Sequence, residues 1–136
     1  MNRVLAIDYG DVRVGLALSD LTCTIAKPFK TLNYNNMDDL LNQLFEISEE
    51  NNVNKIVVGI PYNMKGNDTP QTAKVREFIS ILENKIGYKV ELVDERLTST
   101  EAEKFMHQMN MKTGFNKDKI DKIAASIILQ EYLDTI

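Results

Sequence analysis

Apolar and polar positions along this chain follow two periods, and the period changes where the element type changes. Residues 3–8 hold a four-residue apolar run closed by Asp8, the pattern of a strand buried on both faces. Tyr9-Gly10-Asp11 reads as a turn, and residues 12–18 are again apolar and β-branched with Gly15 inside. The two runs therefore predict a hairpin. A third strand is expected over 24–32, with Pro28 pushing it to a sheet edge because proline cannot donate to a ladder.

From residue 37 the period lengthens. Met37, Leu40, Leu41, Leu44 and Ile47 recur at helical spacing, with Asn35 or Asn36 as cap and Asp38 and Asp39 in the first turn, where the helix dipole favours anions. A short buried strand over 55–61 stops at Pro61. Asp68-Thr69-Pro70 supplies a cap and a first-turn proline for a helix carrying Val75, Phe78, Ile79, Leu82 and Ile86, and Gly87 suits its end. A strand over 89–94 follows, then a helix from about Thr98, whose spacing to Glu101 fits a capping box. A polar loop around Gly114 leads to a last helix over 118–133. The order β-β-β-α-β-α-β-α-α predicts an α/β fold in one domain, 1–136. Its five-stranded sheet is mixed, antiparallel at the hairpin and parallel at the crossovers, with helices on its faces.

Composition adds the setting. The 136 residues carry sixteen Lys and Arg against twenty Asp and Glu, a formal charge of −4. A chain of this length can bury a core without disulfides or a structural metal. The single cysteine, Cys23, cannot form an internal bridge, and no apolar run is long enough for a signal peptide or a membrane span. A soluble cytoplasmic protein is expected, with no membrane partner. The net acidity argues against a nucleic-acid binder basic over its whole surface, yet Lys112, Lys117, Lys119 and Lys122 cluster against Asp118 and Asp121. They read either as a phosphate-binding patch or as a solvated lysine face. His107, the only histidine, and Cys23 lack the partners that nucleophilic catalysis needs, and no phosphate-loop motif is present.

Three acids stand out by position. Asp8 ends a strand, where open α/β sheets place ligands, although a strand-end Asp can simply support the turn. Asp94-Glu95-Arg96 ends another strand. Adjacent side chains there point to opposite sides, so one of the two acids can face Asp8 while the other turns towards the next helix start. Asp121 shares a helix face with Ala124, Ala125 and Ile128, and needs a partner if it packs on the sheet. Gathered by the fold, three carboxylates are hard oxygen ligands that suit Mg²⁺ or Mn²⁺, and such a site could hold two ions about 4 Å apart on a phosphodiester. Arg96 can offer a fork to phosphate or form an ion pair within the protein.

The motifs also carry a resemblance. Asp8-Tyr9-Gly10, Arg13-Val14-Gly15-Leu16-Ala17 and Ser19-Asp20 resemble the opening of the YqgF/RuvX family of ribonuclease H-like pre-16S rRNA nucleases, earlier described as Holliday junction resolvases. So do Val57-Val58-Gly59-Ile60-Pro61 with Asn63, Met64 and Gly66, then Asp94-Glu95-Arg96-Leu97-Thr98, and Asp121 ahead of Ala124-Ala125. Four blocks in family order span nearly the whole chain. The resemblance implies a ribonuclease H-like fold and divalent-metal phosphodiester hydrolysis with Asp8, Glu95 and Asp121 as ligands. Gly10, Arg13, Asn63, Arg96, Thr98 and Lys119 are the candidate substrate contacts. The substrate class is nucleic acid: precursor rRNA, met free or in a ribosomal precursor particle, with branched DNA as the alternative. A monomer would serve the first and a homodimer the second. A third reading keeps the fold as a nucleic-acid or ribosome-associated module without turnover.

Overall fold

The computed structural model describes residues 2–97 and 117–136. The expected helix from Thr98 and the loop around Gly114 lie outside these residues. Five described strands, β1 (Arg3–Tyr9), β2 (Arg13–Ser19), β3 (Ala26–Asn33), β4 (Val53–Ile60) and β5 (Glu91–Asp94), form one sheet in the order β3-β2-β1-β4-β5. β1 and β3 both run antiparallel to β2, whereas β1, β4 and β5 are parallel. Three described helices, α1 (Met37–Glu50), α2 (Pro70–Ile86) and α3 (Lys117–Leu133), complete the α/β architecture.

The element ends follow local chemistry. Pro28 lies on the edge strand β3, and the β2–β3 register shifts between Leu16 and Ala17, where Pro28 finds its partner. Asn36 caps α1 by accepting from the Asp39 N–H. Thr69, not its neighbour Asp68, caps α2 in a reciprocal box with Thr72. Asp68 is taken instead by Arg76, whose Nε donates to Oδ2 at 2.8 Å. Gly87 ends α2 at a φ of 81°, a left-handed turn that glycine adopts without strain. β5 starts at Glu91 rather than 89, because the Val90 N–H donates to Glu83 Oε2 at 2.8 Å instead of entering the ladder.

The continuous apolar runs are explained by burial on both faces. Leu5, Ile7, Leu16, Ile56 and Val58 pack under α1 and α2, against Leu40, Leu44, Phe78 and Leu82. Val4, Ala6, Ala17, Val57 and Val93 pack under α3, against Ala125, Ile128 and Leu129. Alternation then fixes the face of every strand-end residue. Asp8 falls in phase with Val4 and Ala6, on the α3 face; Gly15 is in phase with Ala17, and Gly59 with Val57. No described helix is long and apolar enough to cross a membrane.

Candidate functional site

The parallel strands β1, β4 and β5 bring their C-terminal ends to one edge of the sheet. Asp8, near the end of β1, pairs across the ladder with Gly15 of β2. On its other side Ile7 pairs with Val58 of β4, so the next residue along that strand, Gly59, flanks Asp8 as well. Both neighbours of the acid, on its own face, therefore lack a side chain. A methyl group on Gly59 would sit 2.7 Å from Glu95 Oε1 and 3.0 Å from Glu95 Cγ. Glu95 opens the single 3-10 turn Glu95–Leu97 after β5, and β4 separates it from β1. Two strand spacings are about 10 Å, and the longer glutamate crosses them over bare glycine backbone. Gly15 serves Asp121 in the same way: a methyl group there would overlap the Asp121 carbonyl oxygen. The first turns of α3 can thus settle directly on β2 beside Asp8.

These two glycines separate stability from activity. Gly59→Ala would press on Glu95 and on the tip of Ile128, 2.6 Å away, both ends of flexible side chains. It should displace Glu95 and sharply lower activity with a modest change in melting temperature. Gly15→Ala meets backbone that cannot rotate aside, and should cost about 1–3 kcal/mol as an overpacking change. Thermal melts and activity measured on both variants check this.

The Asp8 and Glu95 carboxyl groups lie within hydrogen-bonding reach of each other, a contact that raises Asp8 and lowers Glu95. Burial first, then the charges of Glu95 and Asp121, push the Asp8 carboxyl up to about 8. Burial also raises Glu95, assisted by the charge of Asp94 and opposed by the contact with Asp8. Asp121 acts on Asp8 through its charge, but its own carboxylate is tied elsewhere: Arg13 Nε donates to Oδ2 at 2.7 Å. Among the described residues no three acids are gathered into a ready-made metal cage.

Of the adjacent pair, Asp94 does not join this cluster. It accepts from the Arg96 backbone N–H at 2.9 Å and from Arg96 Nη2 at 2.7 Å, and the guanidinium holds its carboxyl below the usual range. The Arg96 guanidinium also faces the Tyr62 ring at 5.7 Å and donates to the Met64 carbonyl at 3.4 Å, bracing the β4–α2 loop. Of the residues expected to contact substrate, Gly10 forms the tight β1–β2 turn, where a methyl group would lie 2.6 Å from the Arg13 carbonyl oxygen. Asn63 caps its own loop by accepting from the N–H groups of Lys65 and Asn67 at 3.0 and 2.9 Å. Lys119 is exposed on α3. Thr98, like Lys112 and His107, lies outside the described residues. Sequence reasoning missed the flanking glycines and the Arg13–Asp121 pair. The first had a signal, since glycine inside a strand marks close approach of another group.

The family described as "RuvX: Holliday junction resolvase" matches residues 2–135. A protein of Chloroflexus aurantiacus called "Putative pre-16S rRNA nuclease" is 40% identical over 131 residues, covering 96% of this chain and 86% of that protein. One of the same name from Fusobacterium nucleatum is 41% identical over 136 residues, covering 98% of each. Among solved structures, T. thermophilus RuvC in complex with a Holliday junction substrate aligns with a TM-score of 0.63 at 11% identity, over 99% of this chain and 98% of that one. The fowlpox virus Holliday junction resolvase aligns at 0.55 and 14% identity, over 98% and 99%. At such identities these structures speak for the fold, which is ribonuclease H-like as the motifs implied. Sequence identity near 40% over almost the whole length, together with the match over residues 2–135, shows more: the chain belongs to the RuvX family.

Proposed function

We propose that this chain is a divalent-metal-dependent nuclease that processes the 5′ end of precursor 16S rRNA in the cytoplasm, with Asp8, Glu95 and Asp121 as its ligand set. The observation that carries the reading is the convergence on Asp8 at the strand ends, with Glu95 laid over Gly59 on one side and the Asp121 backbone seated on Gly15 on the other. Nature rarely crowds carboxylates without a counter-charge, and all-oxygen donors suit a hard cation such as Mg²⁺ or Mn²⁺. When bound there, the ion supplies an activated water and stabilises the leaving oxygen of the phosphodiester. Gly59 and Gly15 keep Glu95 and the backbone of Asp121 against Asp8. Lys119, exposed on the helix that carries Asp121, is suited to the backbone of a polyanion.

The names of the curated relatives support RNA as substrate, free or within a ribosomal precursor particle. The family's description supports a four-way DNA junction as the second reading. Incubating the chain with precursor 16S rRNA and, separately, with a four-way DNA junction, each in Mg²⁺ and in Mn²⁺, tests the choice. Cleavage of the RNA is expected; cleavage of the junction alone would establish the second reading, and cleavage of neither would leave a non-catalytic module.

A further inference from the structure

The three acids of the site are not equally free to take a cation. Glu95 lies over Gly59 towards Asp8, whereas Asp121 is answered by a side chain from β2, 108 residues away in sequence. Arg13 opens β2, two residues before Gly15 and therefore on the same face. The same strand thus holds Asp121 twice, by backbone contact at Gly15 and by the ion pair at Arg13. The pair is tight at 2.7 Å, and the two side chains are only 25% and 24% exposed, so water screens it weakly. Lys122, next to Asp121 on α3, is the nearest other cation in sequence and forms no ion pair among the described residues.

From this geometry we infer that Arg13 is an internal counter-ion that competes with the divalent cation for Asp121, and so sets the cation affinity of the site. The inference rests on the metal-site reading above. Among the described residues no three acids form a ready-made cage, and the third carboxylate is held by a guanidinium. The arginine has a second use, because a phosphodiester is the other anion its fork recognises. Substrate phosphate would draw Arg13 off Asp121, and substrate and cation would then favour each other's binding, a coupling that must be reciprocal.

A double-mutant cycle on Mn²⁺ affinity, read by calorimetry on the folded chain, isolates the competition. Arg13→Met keeps the aliphatic stem and removes the donors; it should tighten Mn²⁺ binding about five-fold, the scale of a released ion pair. In the Asp121→Asn background the same change should alter affinity by less than about two-fold, since the contested group is gone. Equal tightening in both backgrounds would mean a through-space charge effect and overturn the inference. Weaker binding in Arg13→Met would show that Arg13 positions Asp121 for the ion, and would overturn it too. Thermal melts of each variant confirm the fold, and Lys122→Met, which removes a neighbouring charge without touching the pair, should stay within two-fold of the wild type. If neither the wild type nor Arg13→Met takes Mn²⁺, the metal-site reading falls along with the inference. Binding with unchanged affinity in Arg13→Met defeats the inference alone.

Discussion

Asp8→Asn is expected to abolish cleavage and leave the fold intact. The substitution is nearly isosteric, and an amide can still hydrogen-bond to Glu95, but it cannot supply the negative charge that a hard cation requires. Loss of even outer partners of a metal site costs up to about 100-fold in activity, so removal of a ligand should cost at least that much. The stability change goes the other way. Burial and its acidic neighbours raise the Asp8 carboxyl from its ordinary 3.8 to about 8 in the folded chain. A group raised on folding contributes stability that is fully present below its unfolded value and lost as pH rises through the folded one. The cation-free wild type should therefore lose stability between about pH 4 and pH 8, and Asp8→Asn should lack that loss. At pH 8 without metal the variant should melt higher than the wild type; near pH 4 the two should converge. Melting curves in chelator across this range, with cleavage assays in Mg²⁺, read both effects. Retained Mg²⁺-dependent activity would remove Asp8 from the mechanism.

Glu95→Gln should eliminate cleavage and weaken Mn²⁺ binding, whereas Asp94→Asn should do neither. The two residues are adjacent in sequence and opposite in role. Glu95 crosses over Gly59 to Asp8, and Asp94 receives the Arg96 guanidinium and backbone N–H. Asp94→Asn removes a partly exposed ion pair, which contributes little to stability. Because Arg96 lowers the Asp94 carboxyl, that contribution is present above the unfolded value and disappears as pH falls through the folded one. The Asp94→Asn deficit should thus be measurable at neutral pH and vanish in acid. The assignment fails if Asp94→Asn is the variant that loses Mn²⁺ while Glu95→Gln cleaves normally.

Local patterning carried most of the fold. The four-residue apolar run ended by Asp8, the 3.6-residue stripe from Met37 to Ile47 and the Thr69-Pro70 start are signals within a few residues, and each became the element expected. Pro28 announced an edge because the missing N–H is a local fact. What the pattern could not give was long-range partnership. The run at residues 3–8 shows that Asp8 ends a strand, but not that both flanking strands place glycine beside it. Alternation allowed only one of Asp94 and Glu95 to face that acid, but where the pattern sent Asp94 towards the next helix start, Arg96 two residues along takes it instead. Asp121 on an alanine-lined helix face announced a need for a partner; that the partner is Arg13 depends on β2 lying under α3, a matter of packing rather than of spacing. The same gap explains β5, whose first expected residues are diverted by a side chain of α2.

The central claim is that the carboxylates at this sheet edge form one cation site, with the Asp8 carboxyl raised to about 8 by burial and its acidic neighbours. Divalent binding near neutral pH should then displace the Asp8 proton, because only the ionised carboxylate is a ligand. Calorimetric titration with Mn²⁺ near pH 7, repeated in two buffers of different ionisation enthalpy, counts the protons released. The account predicts binding that strengthens as pH rises from 6 to 8, with release of about one proton per site, and loss of both in Asp8→Asn. Mn²⁺ binding that releases no proton and persists unchanged in Asp8→Asn would contradict it.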